Sequence, residues 1–313
     1  MAIVAVRNLV KRYDEKLALD HFNLQIDSGE VFGLLGPNGS GKTTTINCIL
    51  QLLTYDKGEI ELFGQPMKPT SYDLKRRIGV VPQDVAVFEE LTVRENIDYF
   101  CGLYVTDAAE RKQLVDEAIV FVGLEDYTKY RPKKLSGGLK RRLNIACGIA
   151  HRPELIFFDE PTVAVDPQSR NSILEGIQRL NAEGATIVYT SHYMEEVEQI
   201  CSRIMIMDRG ESLAAGTKDD LVRMVSTGEK VEIEAPDLPD GALDALGGLP
   251  FVRRISHDGT SIHLLCDNGP HNLANILGVM QERGVVFGRV YSEPPTLNDV
   301  FLEITGRELR DEA

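Results

Sequence analysis

Val31-Phe-Gly-Leu-Leu-Gly-Pro-Asn-Gly-Ser-Gly-Lys-Thr43 is the stretch whose reading decides the fold of this chain. Its first five residues are almost wholly apolar, the pattern of a short strand buried on both faces. The next eight match G-x-x-x-x-G-K-[ST], and a helix is expected from Lys42. Strand, glycine turn and helix in that order are the setting the pattern needs. Its glycines let backbone N–H groups turn inward onto phosphate oxygens, and the helix start adds positive potential. Lys42 is expected to reach the β- and γ-phosphates, and the Thr43 hydroxyl to ligate Mg²⁺.

A second segment belongs with the first. Leu155-Ile-Phe-Phe-Asp-Glu160 reads as a buried strand ending in two carboxylates. Beside a phosphate loop, the first acid off such a strand is placed to hold the metal, so Asp159 takes that role. Glu160, one residue on, can polarise an attacking water as general base. Thr186–Thr190 is a further core strand, with His192 just beyond it. Strand-like and helix-like segments alternate over the first ~220 residues, as in a mostly parallel sheet flanked by helices. Residues ~90–150 read as mainly helical, with helices at Val93–Leu103 and Ala108–Val122, and suggest a subdomain inserted into that α/β core.

Bulk properties exclude several classes. The chain has 313 residues, 43% of them hydrophobic and 26% charged, which is ordinary for a globular protein with a substantial core. Its net charge of -14 repels nucleic-acid backbone and anionic lipid, so no nucleic-acid partner is expected. Five scattered cysteines without a Cys-x-x-Cys pair read as reduced thiols of the cytosol. The N-terminus alternates like a strand and lacks a signal-peptide pattern. No apolar run approaches the ~18 residues that span a bilayer. If the chain serves transport, the pore belongs to another polypeptide.

The texture changes near residue 220. Lys230–Ala235 alternates, a short helix is expected at Ala242–Leu246, and Phe251–Ser256 and Ser261–Cys266 flank Asp258-Gly259, a hairpin signal. Leu273, Ile276, Leu277 and Met280 repeat at helical spacing, then Val285–Tyr291 is strand-like. That order, β-α-β-β-α-β, is the ferredoxin-like pattern. Pro294-Pro295 ends it, and a last helix follows with Thr296 as its cap.

Other residues become interpretable only together. Leu135-Ser-Gly-Gly-Leu139 precedes a helix rich in Lys140, Arg141 and Arg142, Gln83 follows a short strand, and Tyr13 lies in a polar N-terminal loop. Each alone is unremarkable. In this order, with the two acids and His192, they make residues ~3–220 resemble the nucleotide-binding subunits of ATP-binding cassette (ABC) proteins. The resemblance implies a P-loop NTPase fold of α/β class, with an inserted helical subdomain at about 90–150. Residues 221–313 would form a small C-terminal α+β domain.

By that likeness Tyr13 stacks on adenine, and Gly36, Pro37, Asn38, Gly39, Ser40, Gly41, Lys42 and Thr43 form Walker A, with Thr44 also at the nucleotide. Gln83 is the Q-loop glutamine, acting in catalysis and at the metal with Thr43 and Asp159. Ser136, Gly137 and Gly138 are the family signature, Leu155–Glu160 is Walker B, Asp166 marks the D-loop, and His192 is the switch histidine. The implied cofactors are ATP and Mg²⁺. Two such domains would pair head to tail, as a homodimer or heterodimer, each site joining Walker A of one copy to the signature of the other.

Three departures stand out. Leu139 replaces the usual Gln, Val163-Ala-Val-Asp166 replaces Ala-Gly-Leu-Asp, and Asn144 lies in the helix after the signature, where it is expected to be harmless. Pro294–Arg307 looks like the C-terminal stretch of ATPase subunits from ABC-2 exporters of the daunorubicin-resistance kind. The resemblance therefore implies an energy-coupling ATPase for export of a drug, toxin, peptide or lipid-like substrate. It would sit in the cytoplasm, on the inner face of the membrane, through a separately encoded permease. The alternative, a soluble ABC ATPase acting on ribosomes or DNA, would predict tandem cassettes, long heptads or a basic face, and none is present.

Overall fold

The computed structural model of the protein describes residues 1–224, 228–267 and 269–305. These residues form two compact units, Met1–Thr217 and one beginning at Lys218. The change comes slightly ahead of the expected residue 220, because the helix at Lys218–Met224 buries Leu221 and packs with the last helix of the second unit.

The first unit runs β1 (Ala2–Tyr13), β2 (Lys16–Asp27), β3 (Val31–Leu35), α1 (Lys42–Ile49), β4 (Lys57–Leu62), β5 (Gln65–Pro66), α2 (Tyr72–Lys75) and β6 (Ile78–Val81). Helices α3 (Val93–Gly102), α4 (Ala108–Phe121) and α5 (Gly137–Ile149) follow, then β7 (Leu155–Asp159), α6 (Pro167–Ala182), β8 (Thr186–Ser191), α7 (Met194–Ile200), β9 (Arg203–Asp208) and β10 (Glu211–Gly216). Six strands form one sheet in the order β10-β9-β3-β8-β7-β6, parallel from β9 to β6. β10 alone runs antiparallel. Every residue of β3, β7 and β8 is buried, which is why these segments read as continuous apolar runs rather than alternating ones.

An antiparallel sheet, β2-β1-β4-β5, supplements the parallel sheet expected from the sequence. Tyr13 accordingly ends a strand instead of lying in a loop. Ile46, Cys48 and Ile49 of α1 join one core with Val4, Leu9 and Phe22 of this sheet and Phe32, Leu34 and Phe157 of the other. Each fully buried Leu, Ile or Phe there contributes ~1.5–3 kcal/mol relative to exposure. The register matters most for function. Leu35 pairs with Ser191, and Asp159 with Thr190, so β3, β7 and β8 deliver Gly36, Glu160 and His192 to one sheet edge.

The second unit contains α8 (Lys218–Met224), β11 (Lys230–Glu234), α9 (Ala242–Gly247), β12 (Val252–His257), β13 (Ser261–Cys266), α10 (Asn272–Glu282), β14 (Val290–Glu293) and α11 (Leu297–Thr305). Its four strands are antiparallel in the order β12-β13-β11-β14, over a core that includes Val231, Ile233, Ile262, Leu264, Ile276 and Met280. The Asp258 carboxylate accepts from the N–H groups of Thr260 and Ser261 and so fixes the hairpin turn, where Gly259 has φ +98°. The segment expected as a strand from Val285 becomes one only at Val290. Val286 and Phe287 are exposed, and backbone pairing begins only with the bonds from Gly288 N–H to Glu234 C=O and from Glu234 N–H to Arg289 C=O, just ahead of the regular strand. Thr296 caps α11 through its exchange of hydrogen bonds with Asp299. Gly306 and Arg307 of the tail stretch lie outside the described residues.

All five cysteines are free thiols. Among the described residues no helix is long and apolar enough to cross a membrane.

Candidate active site

The phosphate loop is built by backbone fit. A Cβ at Gly36 would press into the carbonyl oxygen of Met207 and come 2.6 Å from Ser40 Oγ. Gly39 and Gly41 have φ +78° and +111°, conformations that a side chain would strain, and Gly41 caps α1. The loop therefore needs glycine at these points to turn from β3 into α1. Ser40 is 2% exposed, and its hydroxyl oxygen has no hydrogen-bond partner. An orphaned buried hydroxyl beside a helix start fits a phosphate oxygen.

Lys42 folds back along this loop. Its Nζ donates to the carbonyl oxygens of Gly36 at 2.8 Å and Pro37 at 3.2 Å, and lies 3.1 Å from Glu160 Oε1. Glu160 Oε2 in turn lies 3.3 Å from His192 Nδ1 and accepts from Gln83 Nε2 at 3.4 Å. Burial is the strongest influence on Glu160 and opposes ionisation. His192 and Lys42 together outweigh it and hold the carboxyl below the usual carboxylate range. Glu160 also has φ +46°, unusual for a side chain larger than glycine and a form of strain that clusters at functional sites.

Beside this cluster Thr43 Oγ1 donates to Asp159 Oδ2 at 2.8 Å. A hydroxyl and a carboxylate held together are hard oxygen donors, the set that Mg²⁺ takes. Tyr13, Asn38, Gly39, Gly41, Lys42, Thr43, Thr44, Gln83 and Glu160 line one cleft of about 560 Å³, a volume suited to a nucleotide. Tyr13 is 44% exposed, with the Lys11 ammonium 5.0 Å from its ring centre.

The signature residues are not part of that cleft. Ser136 caps α5, its hydroxyl accepting from Leu139 N–H at 3.3 Å. Gly137 faces open space, and a Cβ on Gly138 would meet Ser169 Oγ at 2.7 Å. Asp166 caps α6 by accepting from Ser169 N–H at 2.9 Å. Ser136, Gly137 and Gly138 thus stand clear of the phosphate loop of their own chain.

Several residues escaped the sequence reading. Thr190 donates to Asp159 Oδ1 at 2.7 Å and accepts from Glu160 N–H at 3.0 Å, so one hydroxyl fixes both acids. Its signal was a polar residue at the buried end of a core strand. Lys16, Ala18 and Arg209 also line the cleft. Asn144, expected to be harmless, grips the loop that carries Gln83: its amide donates to Pro82 C=O at 3.2 Å and accepts from Ala86 N–H at 3.0 Å. Buried Arg141 donates to the Pro82 and Gln83 carbonyls at 3.2 and 2.7 Å.

Comparisons with known proteins agree with this geometry. The ABC transporter family model matches residues 19–163. The linearmycin resistance ATP-binding protein of Bacillus subtilis (strain 168) is 36% identical over 99% of this chain and 100% of its own length. The Nod factor export ATP-binding protein I of Burkholderia thailandensis is 35% identical over 99% of each. Among solved structures, an ATP-binding subunit of an ABC transporter has a TM-score of 0.66 at 28% identity, covering 71% of this chain and 92% of its own. A dimeric ATP-binding cassette in a post-hydrolysis state with ADP and phosphate has a TM-score of 0.64 at 28% identity, covering 68% and 98%. With likeness to exporter ATPases along the entire chain and a phosphate loop, paired acids and His192 at one sheet edge, this protein belongs to the ABC transporter family, as an ATP-hydrolysing, energy-coupling subunit of the exporter kind.

Proposed function

We propose that the cleft at Gly36–Thr44 takes ATP with Mg²⁺, and that its hydrolysis drives export of a drug-, toxin-, peptide- or lipid-like substrate through a separate membrane permease. The observation that carries this reading is Glu160, buried in the cleft lining and held ionised between Lys42 and His192. MgATP supplies an activated γ-phosphoryl group whose charge the metal partly neutralises. Residues Gly36 to Thr44 hold the phosphates through backbone N–H groups and the Lys42 ammonium. Thr43, Asp159 and Gln83 hold the metal. Glu160 Oε2 takes the proton of the attacking water, and His192 Nδ1 keeps that carboxylate aimed. Tyr13 stacks on the base.

Ser136, Gly137 and Gly138 complete the site of a second copy or of a similar chain. That assignment suits their absence from the lining of their own cleft and the dimeric state of a related cassette. Residues 1–220 act as the ATP-binding domain, with 90–150 as its helical subdomain and 221–313 as an accessory domain. Next to the Gln83 loop, Phe88 packs edge-on to Tyr99 with ring centres 4.9 Å apart and stacks on Phe100 at 5.8 Å. Phe88, Tyr99 and nearby Leu103 are exposed, an apolar surface of the kind a permease segment covers. The two exporter relatives support that partner and a position at the cytoplasmic face of the membrane.

The test is Glu160→Gln in the full chain. Turnover is expected to fall by ~10²–10⁴-fold, the contribution of a general base. ATP binding is expected to persist, with a dimer accumulating in ATP. Unchanged turnover would remove Glu160 as the base.

A further inference from the structure

Behind the cleft lies a buried carboxylate that the hydrolytic reading does not use. Glu196, in the first turn of α7, is 3% exposed. Its Oε2 accepts three hydroxyl hydrogen bonds: from Thr162 at 2.8 Å, Tyr189 at 2.7 Å and Ser191 at 2.9 Å. Its other oxygen lies 3.3 Å from Arg170 Nε on α6, whose guanidinium sits over the Tyr193 ring at 4.8 Å. The turn at Thr162, strand β8 and helix α6 therefore converge on one group of α7.

Their placement is what matters. Thr162 is two residues past Glu160, in the turn that leads on to Asp166. Ser191 immediately precedes His192, and its Oγ also accepts from Tyr193 N–H at 2.9 Å, which fixes the turn around His192. Glu160 holds a positive φ that its surroundings must enforce. A group buried so deeply, with three hydroxyls donating to one of its oxygens, ties the segments that carry them together.

We propose that Glu196 is a positioning residue for hydrolysis: it ties the turn after Glu160 to the turn that carries His192, and so holds the base and its histidine in register. The idea rests on the reading that Glu160 and His192 serve hydrolysis. It adds a residue that touches neither nucleotide nor metal.

The experiment uses the full-length protein with Glu196→Gln, Thr162→Val and Ser191→Ala, singly and with the last two combined. Four quantities are read: turnover, affinity for a non-hydrolysable ATP analogue, melting temperature, and hydrogen exchange of residues 160–166 and 191–194 without nucleotide. Glu196→Gln is expected to cut turnover by roughly ten- to a hundredfold, as small misplacements of reacting groups do. Analogue affinity should stay within about twofold, and exchange should rise in both segments together. Thr162→Val and Ser191→Ala should each lower turnover and combine non-additively, because both act through one carboxylate. If Glu196→Gln does not fold, the two hydroxyl deletions and their combination decide the matter alone. Normal turnover in these variants, or additive losses with exchange rising in one segment only, would overturn the proposal. Glu160→Gln assayed alongside keeps the two ideas apart: if it still turns over, the reading of the site fails, and if it alone is inactive, only the tie fails.

Discussion

Lys42 Nζ lies 3.1 Å from Glu160 Oε1, and both residues are about 5% exposed or less. The cation meant for a phosphate thus already compensates the carboxylate meant for water. Lys42→Met removes one of the two partners that keep Glu160 ionised and leaves burial, which pushes its carboxyl up. In the wild type the folded carboxyl is depressed, so its contribution to stability is present above the unfolded value, about pH 4.3, and is lost as pH falls through the lower folded value. The melting-temperature deficit of Lys42→Met should therefore be full near pH 7, where losing one partner of a buried pair costs about 3–5 kcal/mol, and should shrink only as pH falls below the unfolded value and through the lower folded one. A deficit independent of pH would mean that the pair does not couple to Glu160. Tight ATP binding should also be lost, which calorimetry reads directly.

Gly36→Ala tests the loop itself. The added methyl would press into the Met207 carbonyl, part of β9, and into Ser40, and backbone cannot rotate away as a flexible side chain can. The variant should lose about 1–3 kcal/mol of stability, as overpacked sites do, and most of its nucleotide affinity. Chemical denaturation beside a fluorescent-nucleotide titration checks both. Full affinity in a stable variant would show that the cradle at this position is not needed.

Asn144 offers the reverse case, a residue whose importance lies outside the cleft. With Arg141 it ties the signature helix α5 to the loop of Gln83. Asn144→Ala removes the acceptor of Ala86 N–H and should cost about 0.5–1.5 kcal/mol. Analogue binding should be kept, while turnover falls and hydrogen exchange rises over residues 82–86. Unchanged exchange there would mean that Arg141 holds the loop alone.

These residues also mark what the sequence could and could not disclose. Gly36–Thr43 and Asp159-Glu160 were legible because a buried strand followed by a fixed pattern has few physical meanings. Gly36, Asp159 and His192 are expected at one edge from the strand ends, since parallel strands in register bring their carboxyl ends together, whereas only the family resemblance ties Gln83 to the site. Thr190, Asn144 and Glu196 were not legible. A threonine in a strand, an asparagine in a helix and a glutamate in an acidic run are common, and their importance lies in partners 31, 58 and 34 residues away in sequence. The strand expected at Val285 failed for a similar reason, because apolar periodicity does not record that pairing with Glu234 begins only at Gly288.

Ser136 carries the prediction that bears on assembly. Its hydroxyl caps α5 in its own chain, and no residue of the signature lines its own nucleotide cleft. If Ser136 acts on a partner's nucleotide, Lys42→Ala and Ser136→Arg damage opposite halves of each shared site. Either variant alone makes a dimer with both sites broken. Mixed, they form dimers in which one site carries both lesions and the other carries neither. An equimolar mixture that assorts at random should therefore regain roughly a quarter of wild-type ATPase activity, one intact site in two for about half of the dimers. If Ser136 served its own chain, every site in the mixture would carry one lesion and activity would stay at the level of the single variants. Steady-state phosphate release, measured before and after mixing, separates the two arrangements without any need for the transported substrate.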